Sequence, residues 1–132
     1  MTKTTLLYVD DEPDALKSLR LGLEGKGYTV LTADSGHDAL ELLKKQTPDI
    51  IVADLRMQPM NGFELFQSVR KDSKYARTPF LFLTAVDDFL AQKYGQTLGV
   101  DAYIMKPFDL DNLDSIIRRK LNKSQTGSAQ KP

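Results

Sequence analysis

Five polar residues of this chain stand at or directly after the ends of short apolar runs, where side chains that carry out chemistry can collect. They are Asp10, Asp11, Asp54, Thr84 and Lys106. Three carboxylates that lie close together repel one another strongly at low dielectric. A hard cation such as Mg²⁺, which takes a few carboxylates together with waters and phosphate oxygens, would relieve that repulsion. The lysine and the threonine would add a positive charge and a hydroxyl donor.

These five residues supply the parts of a phosphoryl-transfer site. The protein's work in such a reaction is mainly positioning and charge stabilisation, and an aspartate can be the nucleophile that forms an acyl phosphate. Simpler interpretations exist for each residue: Asp10 or Asp11 can cap a helix, and so can Thr84. Lys106 can face solvent. The joint pattern favours chemistry, because every distinctive strand end carries a residue type that the reaction requires.

The elements that must position these residues alternate between short apolar runs and longer helical patterns. Strands are predicted over Leu6–Val9, Tyr28–Leu31, Ile50–Ala53, Phe80–Leu83 and Ala102–Met105, each followed by a helix. Five strand–helix units predict an α/β fold, a doubly wound parallel sheet with helices on both faces in three layers. Sites in such a sheet form at the carboxyl ends of the strands, near the switch in strand order.

Helix boundaries are marked by capping and breaking residues. Asn61, with Glu64 three residues later, predicts a capping box, and Gly99 predicts the end of the fourth helix, which starts near residue 87. The fifth helix is predicted over about 109–121. The rest of the chain is polar and has no apolar pattern, so we expect one domain over residues 1–122 and a disordered tail or linker stub over 123–132.

The composition is that of an ordinary globular domain, with 41% hydrophobic and 27% charged residues among 132. Eighteen basic residues balance 18 acidic ones, which does not favour direct binding to nucleic acid. The absence of cysteine excludes disulfides and metal–thiolate sites. No apolar run approaches the roughly 18 residues that a transmembrane helix needs. We therefore expect a cytoplasmic protein without membrane insertion.

The sequence resembles the receiver domain of two-component response regulators over about residues 4–122. The motifs that carry the resemblance are Val9 to Glu12, Asp54 to Met57, Met60 to Gly62, Leu83 to Ala85 and Lys106 to Phe108. Together they are highly specific, although any one alone would be weak. The resemblance implies a flavodoxin-like sheet with strand order 2-1-3-4-5 and five helices.

The resemblance also implies the roles of the acidic residues. Asp54 is expected to be the phosphoacceptor. Asp10 and Asp11 are expected to hold Mg²⁺, the implied cofactor, together with Asp54 and the backbone carbonyl of Arg56.

Further roles follow from the resemblance for residues of the last two strands. Thr84 and Lys106 are expected to contact the phosphoryl oxygens, and the Lys106–Pro107 peptide bond is expected to be cis. Tyr103 matches the aromatic residue that turns inward when Thr84 moves toward the phosphate. Its simpler interpretation is an ordinary aromatic residue of the fifth strand.

The implied partners are a histidine kinase or a histidine phosphotransfer protein, which would donate the phosphoryl group. The signal would pass through the surface of helix 4, strand 5 and helix 5 to a downstream protein or to a covalently linked output domain. The chain is expected to be a signalling domain and not an enzyme, limited to its own phosphorylation and dephosphorylation. It is either a single-domain regulator or a receiver from a longer protein.

The loop after the third strand departs from the family's usual pattern. Gln58 stands where a proline is usual, and Pro59 follows it, while the loop keeps its length. We expect the loop path to differ locally without loss of the site. Arg56 and Val86 occupy the variable positions that tune phosphate lifetime in the family. The Arg56 side chain either shields or pairs with the phosphate, or points into solvent.

Three other functions deserve comparison. A phosphatase of the haloacid dehalogenase type needs a second acid two residues after its nucleophile, where this chain has Arg56. A flavodoxin needs a Ser/Thr/Gly-rich phosphate cradle after its first strand, where this chain has Asp10 and Asp11. A degenerate receiver that serves only as a docking surface would not need all five of the polar residues named at the outset.

Overall fold

Five apolar segments form a parallel sheet with strand order β2-β1-β3-β4-β5, in a computed structural model that describes residues 3–85 and 89–130. For residues 89–92, 95 and 124–130 the backbone alone is described. The strands are β1 (Thr5–Val9), β2 (Thr29–Ala33), β3 (Ile50–Asp54), β4 (Phe80–Ala85) and β5 (Ala102–Lys106). The parallel sheet and its strand order are confirmed.

Helices cover the sheet on both sides. They are α1 (Pro13–Gly25), α2 (Gly36–Leu43), α3 (Gly62–Arg70), α4 (Phe89–Leu98) and α5 (Leu110–Gln130), with a short 3₁₀ turn at Ser73–Tyr75 that the sequence analysis did not predict. The predicted start of α4 near residue 87, and Val86, lie outside the described residues. Among the described helices, none combines the length and the apolar character that a membrane crossing requires.

Two apolar clusters separate the layers. On one face, β-strand side chains pack with Leu23 of α1 and with Leu113 and Ile117 of α5. On the other face they pack with Leu43 of α2 and with side chains of α3 that include Phe66. Alternate strand residues therefore enter opposite cores, which is why the strands are apolar almost throughout.

The helix ends largely follow the predicted signals. Asn61 and Glu64 form the expected capping box at the start of α3, and Gly99 follows α4 with a φ of 80°. The cap of α1 is Glu12, whose carboxylate accepts hydrogen bonds from the backbone N–H groups of the first turn. Because Glu12 caps α1, neither Asp10 nor Asp11 serves as the N-cap of that helix.

The fifth helix is longer than predicted. It continues past Leu121 to Gln130, so the predicted end of the helix near residue 121 is wrong. The division into a domain over 1–122 and a tail or linker stub over 123–132 stays a prediction. No proline interrupts this stretch, and adding residues to a helix that already exists avoids the cost of nucleation. Residues 131–132 lie outside the described residues.

Candidate functional site

The carboxyl edge of the sheet gathers the predicted site residues. In the strand register Val9 pairs with Ala53, so that Asp10 emerges beside Asp54. Ala85 pairs with Lys106 at the ends of β4 and β5. Neighbouring parallel strands thus deliver their terminal residues to one place, as the sequence analysis expected.

Asp54 ends β3 in a nearly enclosed position, with 8% of its surface exposed. Its Oδ2 accepts a hydrogen bond from Lys106 Nζ at 2.8 Å, and its Oδ1 accepts one from the Arg56 backbone N–H at 3.0 Å. Charge-assisted bonds of this kind are stronger than neutral ones. Both oxygens of the Asp54 carboxylate are therefore held in place by hydrogen-bond donors. The same donors could stabilise further negative charge at this position.

Asp10 is more deeply buried, with 1% of its surface exposed. Its Oδ2 accepts a hydrogen bond from the Tyr8 hydroxyl at 2.5 Å, and its Oδ1 accepts one from the Glu12 backbone N–H at 3.0 Å. Burial raises the pKa of the Asp10 carboxyl. The bonds from Tyr8 and Glu12 oppose that rise, and the negative charge of Asp54 adds to it. A cation at this edge would offset both burial and repulsion.

Asp11 faces the loop between β3 and α3. Its Oδ2 accepts a hydrogen bond from the Gln58 backbone N–H at 3.3 Å, and the Gln58–Pro59 peptide bond is cis. A proline at position 58 would have no N–H to donate. Asp11 and this loop, including Arg56 and Asn61, line a cleft of about 620 Å³. The unusual loop sequence therefore supplies a contact to the site.

The oxygen donors of this edge fit Mg²⁺, although they do not form a closed cage. Among the described side chains, no three histidines, cysteines, aspartates or glutamates make a metal site by themselves. Mg²⁺ in proteins keeps several waters and takes only one or two carboxylates. Asp11 lines the cleft and Asp10 lies beside Asp54, so this edge supplies carboxylates of the kind that Mg²⁺ takes. The ligand set, including the Arg56 carbonyl, stays a prediction.

The remaining predicted residues lie on β4 and β5. Thr84 is buried, with 1% of its surface exposed, and the Lys106–Pro107 peptide bond is cis, as the resemblance implies. The Tyr103 ring lies 5.8 Å from that of Phe82. Its hydroxyl is buried and has no hydrogen-bond partner in the part of the chain that is described. Tyr103 is thus turned into the protein here.

Two further residues contact the site in roles that the sequence did not predict. Tyr8 donates to Asp10, and Glu12 both caps α1 and donates its N–H to the same carboxylate. The contact of Tyr8 could have been predicted from its position two residues before Asp10, because residues two apart in a strand point to the same face. The Arg56 side chain is exposed, which the sequence left open.

Gly62 brings α3 against the site so closely that no side chain fits. A Cβ atom there would lie 2.8 Å from the Asp54 carbonyl oxygen and 2.9 Å from the Leu55 Cα. Both are backbone atoms and cannot rotate away. We expect Gly62→Ala to destabilise the protein by about 1–3 kcal/mol, the usual range for overpacking, measured by urea unfolding.

Gly25 provides the matched control for this substitution. A Cβ atom there would meet no atom within 4 Å, and alanine is the better helix former by about 1 kcal/mol. Gly25→Ala should therefore leave stability unchanged or raise it. If Gly62→Ala and the wild type were equally stable, the backbone at Asp54 and Leu55 would have to move aside at no cost in free energy.

Comparison with known proteins agrees with the geometry. Residues 6–118 match the family model described as "Response regulator receiver domain". Response regulator Rre1 of Synechocystis sp. is 34% identical over 125 residues, which cover 94% of this chain and 54% of that protein. Transcriptional regulatory protein TrcR of Mycobacterium tuberculosis is 36% identical over 119 residues, 90% of this chain and 46% of that protein.

A solved structure is similar over nearly its whole length. Chemotaxis response regulator CheY4 of Vibrio cholerae superposes with a TM-score of 0.84 at 33% identity, covering 90% of this chain and 99% of CheY4. The chain spans about half the length of the curated relatives that it matches. The similarity to those longer proteins therefore concerns one part of them.

Proposed function

The chain belongs to the response regulator receiver domain family, and on that premise we propose that it accepts a phosphoryl group on Asp54. The donor is a phosphohistidine of a histidine kinase or a histidine phosphotransfer protein. The observation that carries this proposal is the 2.8 Å contact between Lys106 Nζ and Asp54 Oδ2 at a buried strand end. It puts a cation beside a nearly enclosed carboxylate at the end of the central strand β3.

The transfer step needs little from the protein beyond position. An oxygen of Asp54 attacks the phosphorus of the phosphohistidine, and an O–P bond forms while the P–N bond breaks. The electron pair of the broken bond stays with the imidazole nitrogen of the partner, which takes a proton from solvent. Lys106 pairs with the phosphoryl oxygens as their charge builds up, and the Thr84 hydroxyl donates to them.

The acidic residues are the proposed holders of Mg²⁺. Asp10, Asp11, Asp54 and the Arg56 carbonyl oxygen would bind it, and bound Mg²⁺ would neutralise negative charge on the phosphoryl oxygens. Three carboxylates would otherwise repel a phosphate at this edge.

The signal is proposed to leave through α4, β5 and α5. A phosphoryl group adds negative charge and three acceptor oxygens. These draw the Thr84 hydroxyl toward the phosphoryl group, while Lys106 moves its contact from the carboxylate to the phosphoryl oxygens. The inward position of Tyr103 beside Phe82 then becomes the more populated one. A downstream protein, or an output domain attached to the same chain, then reads the changed surface.

We propose a switch and not an enzyme that turns over substrate, acting in the cytoplasm. The residue two positions beyond Asp54 is Arg56, whose exposed side chain does not release a proton to a leaving group, because arginine stays charged in proteins. The phosphoryl group would leave by the domain's own hydrolysis.

The test is phosphorylation by a small donor. Acetyl phosphate with MgCl₂ should add the mass of one phosphoryl group to the intact protein, and the adduct should be labile as acyl phosphates are. Chelation of the metal with EDTA should abolish the addition, because the metal is needed for charge neutralisation. A protein that stays unmodified with the metal present would contradict the proposed function and favour a docking module that works without phosphate.

A further inference from the structure

Tyr8 is a buried polar residue that the proposed reaction does not yet use. It lies in β1 two residues before Asp10, so both side chains point to the same face of the sheet. Each has only 1% of its surface exposed. The Tyr8 hydroxyl donates to Asp10 Oδ2 at 2.5 Å, a short distance typical of a hydroxyl bound to an ionised carboxylate.

The two donors on Asp10 fix the plane of its carboxylate. The Glu12 backbone N–H holds Oδ1 and the Tyr8 hydroxyl holds Oδ2. The Glu12 donor belongs to a backbone turn at the start of α1 and cannot swing away. With Tyr8 as the second support, rotation of the carboxylate about its own axis is blocked, and the lone pairs that remain point in set directions.

The Tyr8 ring is itself held firmly. It belongs to the apolar cluster beneath the sheet, together with Leu23 of α1 and Leu113 of α5. Tyr8 borders a groove of about 510 Å³ that Asp10 and Lys106 also line. If the hydroxyl were removed, water from this groove could reach Asp10. A water molecule could then donate a hydrogen bond to Asp10 in place of the Tyr8 hydroxyl. Unlike that hydroxyl, the water would not be held in position by the apolar core.

We propose that Tyr8 is a positioning residue for the metal: its hydroxyl holds the Asp10 carboxylate in the orientation that binds Mg²⁺. The inference rests on the proposed function, since it concerns the same Mg²⁺. Partners that orient a metal ligand typically contribute 10–100-fold to metal affinity. Removing the Tyr8 hydroxyl should therefore weaken Mg²⁺ binding by about tenfold, at the lower end of that range, because a water can partly replace it.

A tyrosine elsewhere in the chain supplies a matched control. The Tyr28 hydroxyl donates to Asp114 Oδ1, also at 2.5 Å, and its ring lies in the same apolar cluster. Asp114 belongs to α5 and is not among the site residues. Tyr28→Phe removes a bond of the same kind and length, and so reveals what loss of stability alone does.

The experiment titrates MgCl₂ into the unphosphorylated full chain at constant ionic strength. Amide NMR shifts of Asp11 and Arg56 report the dissociation constant for wild type, Tyr8→Phe and Tyr28→Phe, and urea unfolding reports the stability of each. The expected result is about tenfold weaker binding for Tyr8→Phe and unchanged binding for Tyr28→Phe. Tyr8→Leu, a second variant without the donor, should resemble Tyr8→Phe.

The other outcomes bear differently on the inference and on the proposed function. Wild-type affinity in Tyr8→Phe, or equal weakening in Tyr28→Phe, overturns the inference and leaves the phosphorylation proposal standing. Absence of saturable shifts in the wild type overturns both the inference and the metal's part in the proposed function. Weaker binding in Tyr8→Phe alone, in a protein that acetyl phosphate fails to label, supports the inference and contradicts the phosphoacceptor proposal.

Discussion

Asp54→Asn should abolish the addition of a phosphoryl group from acetyl phosphate and Mg²⁺. The amide has nearly the shape of the carboxylate, so the fold should persist. It has no negative charge to attack phosphorus or to bind the metal, and Lys106 loses its ion-pair partner at 2.8 Å. The measurement is intact-protein mass after incubation with the donor.

The control for this substitution lies beside the other end of the same strand. Asp49 directly precedes β3, and its carboxylate accepts a hydrogen bond from the Thr5 backbone N–H at 2.8 Å. An asparagine side-chain oxygen can still accept that bond, although more weakly than a carboxylate. Asp49→Asn should therefore label like the wild type. Labelling of Asp54→Asn at the wild-type rate would show that another residue takes the phosphoryl group.

Lys106→Met should slow phosphorylation by roughly 10²-fold, the usual effect of removing one fixed donor from developing negative charge. Methionine keeps much of the aliphatic stem but removes the ammonium group that contacts Asp54 Oδ2. The carboxylate stays in place through the Arg56 N–H. The reaction should therefore become slow without being abolished, which distinguishes this variant from Asp54→Asn.

Lys26 is the matched control for Lys106, because it is also a lysine in an ion pair. Its partner is Asp111, in the first turn of α5, and neither residue belongs to the predicted site. Lys26→Met should label at the wild-type rate. Initial rates of mass increase, measured over a range of acetyl phosphate concentrations, separate a loss in rate from a loss in donor affinity. A wild-type rate in Lys106→Met would mean that the 2.8 Å contact does not aid transfer.

Much of the fold was readable from the sequence because its signals are local and redundant. A continuous apolar run such as that of β3 indicates a strand that is buried on both faces. The residue types of Asn61 and Glu64 alone predict the capping box at the start of α3. Where the local signal is weak, the predicted helix ended too early. The polar segment after Leu121 carries no apolar period, and its helical backbone follows from continuation of α5.

The sequence by itself determined which residues stand at the carboxyl edge of the sheet: Asp10, Asp11, Asp54, Thr84 and Lys106. The reason is topological. Once parallel strands are recognised, every strand end is delivered to the same edge, and the residue that follows each apolar run is known without any distance.

Only the tertiary structure decided how those residues are supported. The bond from Tyr8 to Asp10 and the contact of the Gln58 N–H with Asp11 depend on side-chain and loop geometry at a precision of tenths of an ångström. So does the closeness of Gly62 to the Asp54 carbonyl. Residue type and spacing do not encode such distances, because they arise from the packing of helices and loops against the finished sheet.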